Sequence, residues 1–288
     1  MDAWQVAAHA KINLFLRVVG KRADGYHDLQ MVMQSLALHD VLTFRRTDER
    51  GVVRLETNAP GLPVDEDNLI CRAVRALFDR FHPDGGVLVM LEKNIFIAAG
   101  LAGGSADCAA ALRGVRDLFA FPISDEELAV IGASLGADVP YCLLGGSALA
   151  EGVGDRLTVL PPMPPCFVLL AKLPAGVSTA EVFGRFRAAS APLDVSPMLA
   201  ALAKGDLRGV CAALANDLEA VTSSLHPQVA ALKQVMLDNG AAGSLMSGSG
   251  PTVFGLFTDL RTVQNAEVVL RAAFPLCETA VTTIVSNI

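Results

Sequence analysis

The chain has 288 residues, of which 52% are hydrophobic and 18% charged, and a formal net charge of −7. That is enough apolar material to bury a core without cross-links, and too much of it for intrinsic disorder. With 23 basic against 30 acidic residues, and no basic block beyond Lys21-Arg22 and Arg45-Arg46, a nucleic-acid groove is disfavoured, and a phosphate ligand has to be held largely by backbone N–H groups.

A mean hydropathy of +0.44 raises the membrane question. The longest charge-free stretch, Asn239 to Thr258, is interrupted by Gly240, Gly243, Gly248, Gly250, Pro251 and Gly255. It therefore reads as turns around a short strand and not as a span, so no membrane partner is expected. No basic segment followed by an apolar run opens the chain. The cysteines form no CxxC pair and share no metal-ligand spacing with the histidines. Reduced thiols in a cytoplasmic protein are the expectation.

In chain order, Gln5 to Val19 reads as a strand, because apolar residues alternate over its second half. A loop at Gly20–His27 follows, then strands at Met31–Asp40, Val41–Arg46 and Val52–Glu56. Asp67-Asn68 starts a helix that runs to Phe81, and Val87–Glu92 is a strand. The glycine-rich apolar segment Ile95–Asp107 leads into a helix over Ala109–Phe119. Ser124, with Glu127 three residues on, is a capping box for the next helix, which Ala137-Asp138-Val139-Pro140 ends. Ala148–Glu151 and Arg156–Val159 form a hairpin around Gly152–Asp155. Leu160-Pro161-Pro162-Met163-Pro164-Pro165 marks a stiff crossing and a domain boundary, giving domains 1–162 and 163–288. Beyond it lie a strand at Phe167–Lys172, helices at Thr179–Arg187, Met198–Ala203, Leu207–Leu214 and His226–Asp238, loop plus strand over Gly243–Thr258, a helix at Thr262–Phe274 and a last strand at Ala280–Val285. The fold class is α+β in two lobes.

Five stretches carry candidate chemistry. Period two puts Lys11 and Asn13 on one face of the first strand, a face that is either solvated or a site. Ala98-Ala99-Gly100-Leu101-Ala102-Gly103-Gly104-Ser105 precedes a helix. Its glycines permit close backbone approach, and a helix start offers unpaired N–H groups to a phosphate. By composition the segment is equally a glycine-rich turn capped by Ser105. It is neither a Walker A motif nor a dinucleotide fingerprint. Asp138, alone between apolar neighbours, is a turn former or a placed carboxylate. Met246-Ser247-Gly248-Ser249-Gly250-Pro251-Thr252 is a tight connection or a second wall against a phosphate. Asp24-Gly25-Tyr26-His27 is a local turn, or a stacking Tyr beside a hydrogen-bonding His.

Each stretch is modest, but their order is specific. Lys11-Ile12-Asn13-Leu14, the Gly100–Ser105 loop after Lys93, and Ser247-Gly248-Ser249-Gly250 resemble the three motifs of the GHMP kinases, which phosphorylate small metabolites with ATP. Arg22-Ala23-Asp24-Gly25-Tyr26-His27-Asp28-Leu29, Gly136-Ala137-Asp138-Val139-Pro140 and Glu151-Gly152-Val153-Gly154-Asp155 resemble a member that serves non-mevalonate isoprenoid synthesis and acts on a cytidyl diphosphate substrate. The resemblance runs from Ala10 to Phe257.

It implies an N-terminal lobe like ribosomal S5 domain 2, a ferredoxin-like C-terminal lobe, and ATP with Mg²⁺. Asp138 is then the base, and Lys11 beside it keeps it ionised. Asn13 and Asp138 bind the polyol end, Tyr26 and Phe183 sandwich the cytosine, and His27 bonds its edge. Asn68 and Lys93 match the adenine and ribose side. Ala98, Ala99, Gly100, Leu101, Ala102, Gly103, Gly104 and Ser105 cradle the phosphates. Phe96 stands where the family often has Pro, and Ala106 where it usually has Ser, departures that bear on ATP affinity; no acidic Mg²⁺ ligand is evident outside Asp138, so the metal ligands stay unassigned. The expected state is a monomer or weak homodimer with small-molecule partners only. The rival readings are a mevalonate- or homoserine-type kinase of the same superfamily, or a non-catalytic ligand-binding relative.

Overall fold

The computed structural model describes residues 3–23, 25–188 and 192–286; Asp24 of the Arg22–Leu29 motif lies outside them. Along the chain, β1 (Trp4–Lys21) and β2 (His27–Thr47) are followed by β3 (Val53–Thr57), α1 (Leu69–Phe81) and β4 (Gly86–Glu92). Three helices come next, α2 (Gly103–Phe119), α3 (Asp125–Leu135) and α4 (Val139–Leu144), then the hairpin β5 (Ser147–Gly152) and β6 (Arg156–Val159). β7 (Phe167–Lys172) leads into four short helical segments and one bridge strand: α5 (Thr179–Arg185), α6 (Ser196–Ala203), α7 (Leu207–Ala212), β8 (Ala215–Asn216) and α8 (Glu219–Leu225). The chain ends with α9 (Gln228–Asp238), β9 (Gly243–Met246), β10 (Thr252–Phe257), α10 (Leu260–Ala273) and β11 (Glu278–Thr283). Among the described residues, no helix is long and apolar enough to cross a membrane.

The strands form a seven-stranded sheet, ordered β3-β4-β2-β1-β8 with β5 and β6 branching from β2, and a four-stranded sheet ordered β11-β7-β10-β9. The fold is therefore α+β, as expected. It divides into two compact units, neither of them continuous in sequence: Met1–Ala10, Leu38–Ile97 and Ala102–Leu144 make the first, and Lys11–Ala37, Ala98–Leu101 and Gly145–Ile288 the second. The proline-rich crossing at 160–165 falls inside the second unit, and the long strands β1 and β2 each contribute to both units.

In the first unit, Val41–Thr47 of β2 pairs antiparallel with β4, and β3 pairs parallel with β4. The helices cover this sheet with Ile70, Val74, Leu77, Ala111, Leu112 and Val115, against Leu42, Phe44, Val87 and Val89, all fully buried. Asn68 caps α1 by accepting from the Ile70 N–H, and the capping box at Ser124 and Glu127 starts α3. The second unit pairs Leu29–Gln34 of β2 with β5. Its four-stranded sheet has the succession β7–α9–β9–β10–α10–β11. Renumbered within the sheet, the strand order is 4-1-3-2, the ferredoxin-like arrangement expected of the C-terminal lobe.

Three differences from the sequence reading have physical causes. β2 is one 21-residue strand rather than two. Asp40, which suggests a break, is fully buried and accepts the Asn94 and Ile95 N–H groups, so a mid-strand carboxylate is satisfied without a turn. α2 begins at Gly103, not Ala109, running through a Gly-Gly pair of poor intrinsic helix propensity. β9, read as loop, is paired in register with β10, Met246 opposite Val253.

Gly114 of α2 illustrates the packing that overrides propensity. A Cβ there would meet the Phe44 ring at 2.2 Å. We expect Gly114→Ala to lower stability by roughly 1–3 kcal/mol through overpacking, although alanine is the better helix former by ~1 kcal/mol. Urea denaturation measures it.

Candidate active site

Alternation along β1 sends Lys11 and Asn13 to one face, and that face is not solvated: the two residues are 4% and 0% exposed. Burying an ammonium is costly unless it is hydrogen-bonded. The Lys11 Nζ donates to Asn13 Oδ1 at 2.7 Å and to the Gly100 carbonyl at 3.3 Å. The Asn13 N–H donates to Ser247 Oγ at 3.3 Å, and that hydroxyl donates to the Gly100 carbonyl at 3.0 Å. Within the second unit, residues from all three motifs thus converge on one carbonyl. Gly100 has φ +71°, and a Cβ there would lie 2.4 Å from the Ser247 carbonyl oxygen.

The 247–250 loop is itself pinned. Asn216 Nδ2 donates to the Met246 and Gly248 carbonyls at 2.8 Å each, and Thr222 Oγ1 to the Ser249 carbonyl at 3.0 Å. Glu219 accepts the Met246 N–H at 2.9 Å, and the Thr179 and Ser249 hydroxyls lie 2.9 Å apart. Asn216, Glu219 and Thr222 escape sequence reading. Their only signal is the polar Asn216-Asp217 break between apolar runs.

The second cluster belongs to the first unit and centres on the start of α2. Ala102 is the N-cap, with φ 56° and no side-chain cap bond. Ser105 therefore sits inside the first turn rather than capping it, and the first-turn N–H groups are presented without a competing side chain. Ala98, at the other end of the loop, also has a positive φ, 53°. Left-handed alanines cost of order 1–3 kcal/mol each and gather where function over-determines the backbone. Ala106 is 2% exposed, so its missing hydroxyl faces the interior rather than the cradle.

The turn bearing Asp138 lies close by. A Cβ on Gly136 would be 3.8 Å from Ser105 Oγ. The Val139 N–H donates to the Gly136 carbonyl at 3.1 Å, and the guanidinium of Arg113 on α2 donates to the Leu143 carbonyl of α4. Asp138 itself is half-buried.

Lys93 and Asn68 have their polar atoms engaged inside the protein. The Lys93 ammonium bridges Asp40 and Asp107, at 2.6 Å from Asp107 Oδ2. Burial pushes the Asp107 carboxyl up to about 8, with the Asp40 carboxylate adding to the rise and Lys93 opposing it. Asn68 accepts from Ile70 at 2.9 Å and donates to the Pro63 carbonyl at 2.7 Å. The neighbouring Leu69 lies 3.8 Å from where a Gly104 Cβ would be, so this end of α1 borders the cradle. Among the described residues, no group of three His, Cys, Asp or Glu is placed to hold a metal ion.

The residues expected to recognise the base lie in the second unit. The His27 and Phe183 rings stack with centroids 5.0 Å apart at 26°. Tyr26, the ring expected opposite Phe183, is 67% exposed at the loop end. The imidazole, not the phenol, covers Phe183.

A conserved-domain description, GHMP kinases N terminal domain, matches residues 68–146, and its counterpart, GHMP kinases C terminal, matches residues 198–276. Those spans hold α2 and Asp138 in the first case and the 247–250 loop in the second, so the class is that of the GHMP kinases. A 4-diphosphocytidyl-2-C-methyl-D-erythritol kinase of Moorella thermoacetica is 46% identical over 98% of this chain and 99% of its own. One from Lachnospira eligens is 43% identical over 94% of both. A crystal structure of 4-(cytidine 5'-diphospho)-2C-methyl-D-erythritol kinase superposes with a TM-score of 0.83 at 33% identity, covering 97% of this chain and 98% of that one. The chain belongs to the 4-diphosphocytidyl-2-C-methyl-D-erythritol kinase family of the GHMP kinases. A homoserine kinase from Cytophaga hutchinsonii, with a TM-score of 0.79 at 21% identity, shares the fold.

The raised Asp107 carboxyl has a consequence for stability. Its folded-state pKa lies above the unfolded value near 3.8, so the folded protein holds a proton that the unfolded chain has released. The contribution is full below about pH 4 and is lost as pH rises towards about 8. We expect Asp107→Asn, which does not titrate, to lose at least about 1 kcal/mol less than wild type between pH 5 and 8. Urea midpoints across that range test it.

Proposed function

We propose that this chain transfers the γ-phosphoryl group of ATP to the 2-hydroxyl of 4-diphosphocytidyl-2-C-methyl-D-erythritol. The observation that carries the reading is the buried Lys11 ammonium, held by Asn13 and the Gly100 carbonyl where the three motifs of this kinase class meet. A non-catalytic relative has no need to keep a buried cation at such a cost. A mevalonate- or homoserine-type substrate gives no use to an aromatic pair such as His27 and Phe183.

Phosphoryl transfer passes through a loose transition state, so positioning and charge neutralisation count for more than strong base catalysis. Asp138 takes the proton of the attacking hydroxyl. Lys11 supplies positive charge to the acceptor side, and Asn13 acts at the polyol end by holding Lys11. Ala98–Ser105 cradles the triphosphate, with the first-turn N–H groups of α2 as donors. Asn68 and Lys93 shape the nucleotide side of the cradle. Mg²⁺ fits this donor set as an ion carried by the nucleotide: it takes one or two carboxylates together with substrate phosphates and water, and Asp138 with the Ser105 hydroxyl are the side chains available to it. When bound, it neutralises triphosphate charge. Tyr26 and Phe183 enclose the cytosine ring, and His27 serves its edge. We keep residues 1–162 and 163–288 as the two functional domains, and a cytoplasmic, monomeric or weakly dimeric enzyme without nucleic-acid partners.

A coupled assay of ATP consumption with Mg²⁺, comparing the cytidyl substrate with mevalonate and homoserine, tests the reading. Turnover confined to the cytidyl substrate is expected; folded, ATP-binding protein inert toward it would overturn the substrate assignment. Asp138→Asn is expected to lower kcat by about 10²–10⁴-fold with ATP binding intact, and near-wild-type turnover would remove Asp138 as the base. Tyr26→Ala is expected to raise KM for the cytidyl substrate, since stacking contributes about 1–3 kcal/mol per base; steady-state kinetics at saturating ATP reads it directly.

A further inference from the structure

We propose that Asp40 is a positioning residue for the nucleotide triphosphate, acting from the middle of β2 on the corner that leads into the glycine loop and, through Lys93, on the first turn of α2. The inference rests on the ATP-cradle reading above and extends it to a residue more than fifty positions from the loop. Three donors converge on this one carboxylate. Its Oδ1 accepts the Asn94 N–H at 2.6 Å and the Ile95 N–H at 2.7 Å, and its Oδ2 accepts from the Lys93 ammonium. Asn94 and Ile95 are the residues at which the chain leaves β4. The Asn94 side chain adds a bond to the His39 carbonyl at 3.2 Å, so the corner is tied to two successive residues of β2.

Lys93 carries the constraint onward. Its ammonium bonds Asp107 Oδ2 at 2.6 Å, and Asp107 belongs to α2. Lys93 Nζ and Ile95 Cγ2 each lie 3.1 Å from the position a Cβ would take on Gly103. They form the floor on which the first residue of α2 rests. Asp40 is fully buried, and Asp107 is 3% exposed with Oδ1 lacking a hydrogen-bond partner. Apolar side chains of similar volume often stabilise a core at least as well as a buried ion pair. An ionic cluster here is therefore poorly explained by packing. It does fix the angle and height at which the first N–H groups of α2 emerge, and a phosphate site depends on that. In this arrangement Lys93 is a strut whose ammonium is spent on Asp40 and Asp107, not a group that bonds the nucleotide.

The test is calorimetric binding of adenosine, ADP and a non-hydrolysable ATP analogue to the full chain with Mg²⁺, alongside steady-state kinetics. Asp40→Asn keeps the shape and an acceptor for Asn94 and Ile95 but loses the charge that holds Lys93. The expected result is weakening that grows with phosphate number: on the order of tenfold for the triphosphate analogue, and within about twofold for adenosine. KM for ATP should rise while kcat changes less than about threefold, the pattern of lost uniform binding. Asp217→Asn is the structural control, since Asp217 is a second carboxylate that accepts a backbone N–H, that of Val18 at 2.8 Å; it should cost stability without discriminating between the nucleotides. If Asp40→Asn is poorly folded because it strands the Lys93 charge, the double variant Asp40→Asn/Lys93→Met removes that charge and should show the same phosphate-dependent loss. Equal weakening of adenosine and the triphosphate analogue would return Lys93 to the adenine side and overturn the proposal, as would unchanged triphosphate affinity in the folded variant. Failure of wild type to phosphorylate the cytidyl substrate would strike the substrate reading alone, because nucleotide binding is measured without it.

Discussion

The constraint on which the second unit's site depends is the close approach of backbone to backbone at Gly100. With the Ser247 carbonyl oxygen 2.4 Å from where a Cβ would stand, only glycine allows the second and third motifs to touch. That contact lets the Gly100 carbonyl accept from both Lys11 and Ser247. Without it the Lys11 ammonium, 4% exposed, would lose an acceptor, and burying a cation is costly unless it is hydrogen-bonded. The small residues of the loops are therefore conditions for keeping a cation in the interior of β1.

The two long strands carry the same theme on different residues. β1 buries Lys11 and Asn13, and β2 buries Asp40. In each case a polar group occupies a position where a strand ordinarily places an apolar side chain, and in each case the partners come from glycine-loop segments or from the corners leading into them. Polar groups in strand interiors are costly unless fully bonded. Here they connect sheet to loop, so the rigidity of the sheets is transmitted to segments that would otherwise be mobile.

The departures from the usual family pattern look different once the chain is folded. Ala106 removes a hydroxyl at a buried position of α2, while Ser105 and the first-turn N–H donors remain. The aromatic residues expected at the base are also paired differently from the expectation. The His27 imidazole stacks on Phe183, while Tyr26 stands exposed at the loop end, so the aromatic partners are present but differently paired from the simple sandwich.

Much of this protein is determined locally. The alternation of β1, the Asn68 cap of α1, the capping box of α3 and the β5–β6 hairpin follow from short-range patterns, and the structure has them where those patterns place them. The order of three short motifs, together with the Tyr26-His27 segment, suffices to specify the kinase family, because catalysis constrains residue types at fixed places along the chain. Tertiary structure alone decided what those residues touch. Whether the Lys11 face met solvent or a site, and whether Asp40 ended a strand, turned on partners tens to hundreds of residues away. Asn216, Glu219 and Thr222 are silent in sequence for the same reason: each matters through a backbone group of the 246–250 segment that only the fold brings within hydrogen-bonding distance. Hydrogen bonds act over about 3 Å of space, and spacing along a chain constrains that distance only within a single helix, strand or turn.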